Sequence, residues 1–116
     1  MEELLPLAAA AMMGGVDVSA QVVLAFGGNF ERNLVQYNCE DGSSLVVDYI
    51  NADPNYLAIL PVRDRKLVFV AVLAASGVKY VSGPHVWWTK GGSADLTDET
   101  NADAPPISCL EATETP

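Results

Sequence analysis

Basic residues are scarce in this chain. Six lysines and arginines stand against fifteen aspartates and glutamates with one histidine, so the formal charge is −9. Such a protein repels nucleic-acid backbones and anionic lipid and attracts cationic partners, which excludes nucleic acid and favours a basic protein. Cysteine is almost as rare. Cys39 and Cys109 stand far apart, in neither the close pairs of a zinc site nor the CxxC of a redox enzyme, and His85 adds only a third soft ligand. No metal and no other cofactor is expected. One disulfide joining the start of the fold to its end asks for nothing more, and it requires an oxidising compartment.

Long apolar runs are missing too. The most extended, Leu4 to Gly15, has about 12 residues where a bilayer core needs about 20, so no membrane span is expected. Followed by Val18-Ser19-Ala20, it resembles the apolar stretch and small-residue cleavage site of a signal peptide, although Glu2 and Glu3 stand where lysine or arginine is usual. Residues 1–20 are therefore read as a signal peptide or a flexible N-terminal segment. Cleavage after Ala20 would remove three acids and leave a charge of −6. Residues 21–116 are read as a single domain with its core at about 33–110, because 116 residues suffice for one hydrophobic core.

Helical periodicity is absent. From Leu34 the chain is a series of short β-rich runs broken by turn residues about every ten positions. Leu34–Cys39 alternates and ends at Glu40-Asp41-Gly42-Ser43, where Asp-Gly tolerates positive φ; Ser44–Ile50 returns. After the Asp53-Pro54 turn comes Tyr56–Val62, then charged Arg63–Lys66, then the apolar Leu67–Leu73, which reads as a central strand buried on both sides. Val78–Ser82, His85–Thr89, Ser93–Leu96 and Ile107–Leu110 complete the set, with an acidic loop at Thr97–Pro106. About eight antiparallel strands in so short a chain would leave exposed edges as an open sheet, so the expected class is all-β, closed into a small barrel or a tight sandwich.

Catalytic chemistry is hard to assemble. Ser76-Gly77-Val78-Lys79 fits the bare SxxK pattern of serine acyl-transferases, but that geometry needs a helix, and Val78, Tyr80 and Val81 are strand formers. His85 stands alone, without a Ser-His-Asp set or a paired-carboxylate cleft. No catalytic residue is assigned and the chain is not read as an enzyme. Of the adjacent Trp87 and Trp88, one faces inward on a strand and the other outward. More informative are two glycine-bordered turns, Ala75-Ser76-Gly77 and Lys90-Gly91-Gly92, joined by two strands that run out and back. That topology brings a serine hydroxyl and a lysine ammonium to one end of the fold, able to donate into an acidic cleft.

At these residues a family resemblance emerges. Ala75-Ser76-Gly77-Val78-Lys79-Tyr80, with Trp88-Thr89-Lys90-Gly91-Gly92-Ser93-Ala94-Asp95-Leu96, resembles the membrane-bound and periplasmic inhibitors of c-type lysozyme, and Tyr37-Asn38-Cys39-Glu40-Asp41-Gly42 is similar to that family's opening strand and turn. The similarity covers about 35 to 110. It implies a small antiparallel eight-stranded barrel, a disulfide between Cys39 and Cys109, and a c-type lysozyme as partner. It further implies lysozyme binding through Ser76, Gly77, Tyr80, Lys90 and Gly91, with Ser76 and Lys90 entering the lysozyme cleft and Tyr80 supporting the loop. Position 74 is alanine where many members have a second serine, and the missing lipid-bearing cysteine points to the soluble, exported, periplasmic branch. The oligomeric state stays open between monomer and homodimer. A second class of function, a barrel binding an apolar small molecule in its interior, would need a cavity of roughly 300 Å³ or more. Large residues such as Tyr49, Phe69, Leu73 and Trp88 argue instead for a filled interior.

Overall fold

A computed structural model of the chain describes residues 21 and 23–112; the candidate signal peptide in residues 1–20 lies outside them. Eight strands follow one another: β1 (Glu31–Cys39), β2 (Ser44–Ala52), β3 (Asn55–Val62), β4 (Arg65–Val72), β5 (Val78–Ser82), β6 (His85–Lys90), β7 (Ser93–Asp98) and β8 (Ile107–Glu111). Each pairs antiparallel with the next, and β8 returns to β1, so the sheet closes into a barrel and no edge is left unpaired. The Cys39–Cys109 disulfide spans that closing seam, where the two cysteines face each other in register.

The barrel has two mouths. The upper one carries the β2–β3 turn, the β4–β5 loop (residues 73–77) and the β6–β7 turn; the lower one carries the β1–β2, β3–β4 and β5–β6 turns and the β7–β8 loop (residues 99–106). Turn chemistry matches the sequence at Gly42, whose φ of 91° is in the left-handed region, beside Asp41, whose Oδ1 accepts from the Ser43 amide at 2.9 Å. The β3–β4 connection is tighter than expected. Only Arg63 and Asp64 lie between the strands, Arg63 at φ 59°, while Arg65 and Lys66 join the ladder opposite Val62 and Pro61. β1 likewise starts three residues before Leu34, because Glu31 to Asn33 pair with Asn51 to Tyr49 although they have no apolar alternation to betray a strand.

Inside, one side chain in two fills the barrel: Tyr37, Val47, Tyr49, Ala58, Leu60, Phe69, Tyr80 and Trp87 form the core. Trp87 is fully buried and meets the Tyr37 ring edge-on, centroids 5.0 Å apart. Its indole N–H donates to the Tyr49 hydroxyl at 2.9 Å, and the Tyr49 and Tyr37 hydroxyls share a 2.7 Å hydrogen bond, so the polar tips of these aromatics are satisfied internally. Burial pushes the Tyr37, Tyr49 and Tyr80 hydroxyls upward, Tyr80 to about 12. A phenol whose folded pKa exceeds its unfolded one contributes stability that is whole below about pH 10 and is lost as pH climbs toward the folded value. Guanidinium unfolding midpoints are therefore expected to hold to about pH 10 and then fall; a flat profile to about pH 12 would contradict this account.

The apolar run of β4 corrects one sequence expectation. Phe69 is buried, but Val68, Val70 and Val72 are exposed on the outer face and Leu73 is 98% exposed, so the strand is covered on one side only. A barrel has a single inside, and nothing among the described residues packs over this stretch of its outer wall. Leu73 and Trp88 are thus not interior fillers, whereas Tyr49 and Phe69 are.

Candidate loop site at the upper mouth

Ser76, Gly77, Lys90 and Gly91 are all exposed at the upper mouth. Their neighbourhood follows from the β5–β6 hairpin. The two-residue turn at Gly83-Pro84 pairs Ser82 with His85 and so sets Val78 opposite Thr89 and Lys79 opposite Trp88. Gly77, one residue before β5, then lies against the end of β6. Its φ is 67°, and a Cβ built there would fall 2.8 Å from the Lys90 Cγ and clash with the Thr89 carbonyl. Glycine is required twice over, by conformation and by space. Gly91, at φ 62°, turns the chain just after Lys90.

Trp88 ties the two loops together from outside. Its indole N–H donates to the Ser76 carbonyl at 2.9 Å, and the ammonium groups of Lys90 and Lys79 lie 4.8 and 5.1 Å from its ring centroid. The β4–β5 loop is thereby anchored to β6, and Lys90 rests on the same ring. The Ser93 hydroxyl closes the neighbouring turn by donating to the Lys90 carbonyl at 3.0 Å. The sequence reading, which leaves open which of Trp87 and Trp88 faces inward and counts Trp88 among the interior residues, does not contain this linkage. The signal was present in the hairpin spacing, which sets Trp88 two residues before Lys90 and directly across from Lys79.

Tyr80 occupies a different place. It is buried inside the barrel and packs against Tyr49 at 5.7 Å, beneath the loops and not on the surface with them. Between the loops and β1 the mouth opens as a basin of about 550 Å³ with polar walls that include Asn33, Asn51, Thr89 and Glu111. As for the SxxK spacing, Lys79 sits in a strand and points to Trp88, so it does not stand one helical turn from Ser76.

The scan against protein families matches residues 37–105 to the membrane-bound lysozyme-inhibitor of c-type lysozyme. The chain belongs to this family. Among curated relatives, the membrane-bound lysozyme inhibitor of C-type lysozyme of Pseudomonas aeruginosa is 38% identical over 107 residues, covering 84% of each chain. The protein of the same name from Cupriavidus necator is 34% identical over 80 residues, 67% of this chain and 64% of the relative. Among solved structures, Pseudomonas aeruginosa MliC in complex with hen egg white lysozyme matches with a TM-score of 0.69 at 38% identity, over 82% of this chain and all of that one. The eight-stranded barrel and the disulfide that the family resemblance implied are both present.

The acidic charge of this family member is not gathered around the two loops. Glu40, Asp41, Asp64, Glu99 and Asp103 sit on the turns and loop of the lower mouth with Asp98 at the adjoining end of β7, while the upper end mixes Glu31, Asp53, Asp95 and Glu111 with Arg32, Lys79 and Lys90. Arg32 is already engaged, forming a two-pronged pair with Asp48 at 2.8 and 2.9 Å. Strands of this length set the mouths about 20 Å apart, more than twice the ~8 Å screening length at physiological salt. Attraction of a cationic partner toward the loops therefore draws on few nearby carboxylates.

Proposed function

We propose that this chain inhibits a c-type lysozyme by lodging the exposed Ser76 hydroxyl and Lys90 ammonium in the enzyme's acidic cleft, with Gly77 and Gly91 shaping the two loops. The contact of Gly77 with Lys90 carries this reading, because it sets the serine loop and the lysine turn against each other. Trp88, which holds the Ser76 carbonyl and underlies Lys90, gives the pair a rigid base. Membership of a family described as lysozyme inhibitors supports it, as does a relative solved in complex with hen egg white lysozyme.

The chemistry is suited to the target. A lysozyme needs one carboxylic acid with a raised pKa and one carboxylate kept ionised. A hydroxyl donating to the first and an ammonium beside the second would disturb both and occupy the space a sugar needs. Close charge pairs at such interfaces couple by about 1.5–7 kcal/mol. Tyr80 serves this function as a support from within the barrel. The action requires an oxidising compartment for the disulfide, and we assign it to the periplasmic side of the envelope.

Purified protein is expected to stop a c-type lysozyme at near-equimolar ratio. Lys90→Ala is expected to weaken inhibition at least tenfold, equivalent to about 1.4 kcal/mol, with an unchanged unfolding midpoint. Equal potency of the variant would remove the proposed role of Lys90.

A further inference from the structure

The lower mouth, at the opposite end from the loops, is incompletely filled. A cavity of about 470 Å³ opens there, larger than a small-molecule site requires. Its walls are the inward side chains of Leu45, Val62, Leu96 and Ile107, and the Cys39–Cys109 disulfide forms part of its lining. The reason is the placement of bulk along the barrel. The large aromatics Tyr37, Phe69 and Trp87 pack farther in, and the last inward positions of β2, β3, β7 and β8 carry only aliphatic residues, too short to meet across the opening. Ala104 and Pro105 of the β7–β8 loop wall one side.

The rim of this cavity is polar and ordered. Asp41 and Asp98 both line it, and each has one carboxylate oxygen fixed by the residue two positions on: Asp41 Oδ1 accepts from the Ser43 amide at 2.9 Å and its hydroxyl at 2.6 Å, and Asp98 Oδ1 accepts from the Thr100 amide at 2.9 Å and its hydroxyl. The second oxygen of each makes no hydrogen bond to another described residue, so two oriented acceptors remain at the opening. These hydrogen bonds hold both carboxyls below the usual carboxylate range, and at Asp98 the nearby His85 and Arg63 lower it further. Arg63 and His85 share the rim. Around it, five carboxylates on the lower turns and loop, with Asp98 at the end of β7, outnumber three cations, Arg63 on the rim itself and Arg65 and Lys66 at the start of β4. The local field therefore favours a positive guest, and the apolar walls favour one with a hydrocarbon body.

We infer that the lower mouth is a binding site for a small cationic amphiphile, an alkyl or aryl ammonium whose apolar body enters between Leu45, Val62, Leu96 and Ile107 and whose charged head rests between Asp41 and Asp98. The site is separate from the Ser76 and Lys90 loops and does not depend on the lysozyme reading. Its occupant is selected by charge at the rim and by hydrocarbon within.

Calorimetric titration of the full chain with octylammonium, 1-octanol and octanoate, each below its micellar concentration, tests this. Octylammonium is expected to bind at least tenfold more tightly than octanoate, with octanol between. Asp41→Asn and Asp98→Asn, which keep the oxygen that accepts the turn hydrogen bonds, are each expected to weaken octylammonium at least threefold and leave octanol unchanged. Leu96→Trp, which fills the cavity, is expected to abolish binding of all three while the far-ultraviolet circular dichroism stays that of the parent. Lysozyme inhibition is expected to be the same with and without saturating octylammonium. Equal affinity for the three probes, preference for octanoate, undiminished binding to a folded Leu96→Trp variant, or competition with lysozyme would each overturn the assignment.

Discussion

Replacing Trp87 with alanine is expected to lower the unfolding free energy by about 3–5 kcal/mol, the range for truncating a fully buried large aromatic. Three losses coincide at this position. The indole leaves a void in the middle of the barrel, the Tyr37 ring loses its edge-on partner, and the Tyr49 hydroxyl loses the N–H that donates to it. A domain with a total stability of about 5–15 kcal/mol would be left marginal. Urea unfolding followed by circular dichroism checks this, and the matching Trp88→Ala variant supplies the contrast, since Trp88 lies on the outer wall and is only partly buried. Trp88→Ala is expected to spare most of the stability while loosening the loops it joins. A Trp87→Ala variant as stable as its parent would mean that the Tyr37–Trp87–Tyr49 cluster does not hold the barrel together.

Removing the disulfide by the paired substitution Cys39→Ser and Cys109→Ser is expected to cost about 4 kcal/mol by the chain-entropy estimate for a cross-link of this span. The bridge joins residues 70 apart in sequence. It also stands at one of the two shortest pairings of the barrel: β1 pairs with β2 over eight positions but with β8, as β4 with β5, over three, Tyr37 with Glu111, Asn38 with Leu110, and Cys39 with Cys109. Hydrogen exchange is therefore expected to accelerate first along β8 and the facing part of β1, before the hairpins lose protection. Uniform loss of protection across all strands, or an unchanged midpoint of denaturation, would show that the seam does not depend on the bridge.

Much of this architecture was legible in the order of residues. The eight strands follow from apolar runs punctuated by Asp-Gly, Asp-Pro, Gly-Pro and Gly-Gly pairs, and closure follows from the cost of exposed edges. Tyr49 and Phe69, read as interior residues, are buried, and the alternation of Leu34–Cys39 puts Tyr37 and Cys39 together on the inner face. Strand faces become indistinguishable where polarity no longer alternates. Leu67 to Val72 is apolar at every position, so nothing in the pattern could say that Val68, Val70 and Val72 would meet solvent; only closure into a barrel with one interior decides it. Glu31 to Asn33 failed in the opposite sense, as polar residues made extended by pairing with β2.

The candidate site divides in the same way. That Ser76 and Lys90 share one end was readable, because two strands intervene and return the chain to its starting level. What lies between them is set by tertiary register: the closeness of Gly77 to Lys90 and the indole bridge of Trp88 depend on the pairing of β5 with β6. Net charge was similarly blind to place. Fifteen acids say that the molecule is anionic, but only the connectivity of the turns reveals that most of the described carboxylates collect away from the loops.

The chain enters the barrel at Glu31 and leaves it at Glu111, and both points open on the mouth that carries Ser76 and Lys90. A bulky reporter attached close to Glu31 or Glu111 would stand at the mouth of those loops, and loss of activity in such a fusion would say more about obstruction than about the protein. The Asp41-Gly42 hairpin, exposed at the other pole, is the better place to graft a label.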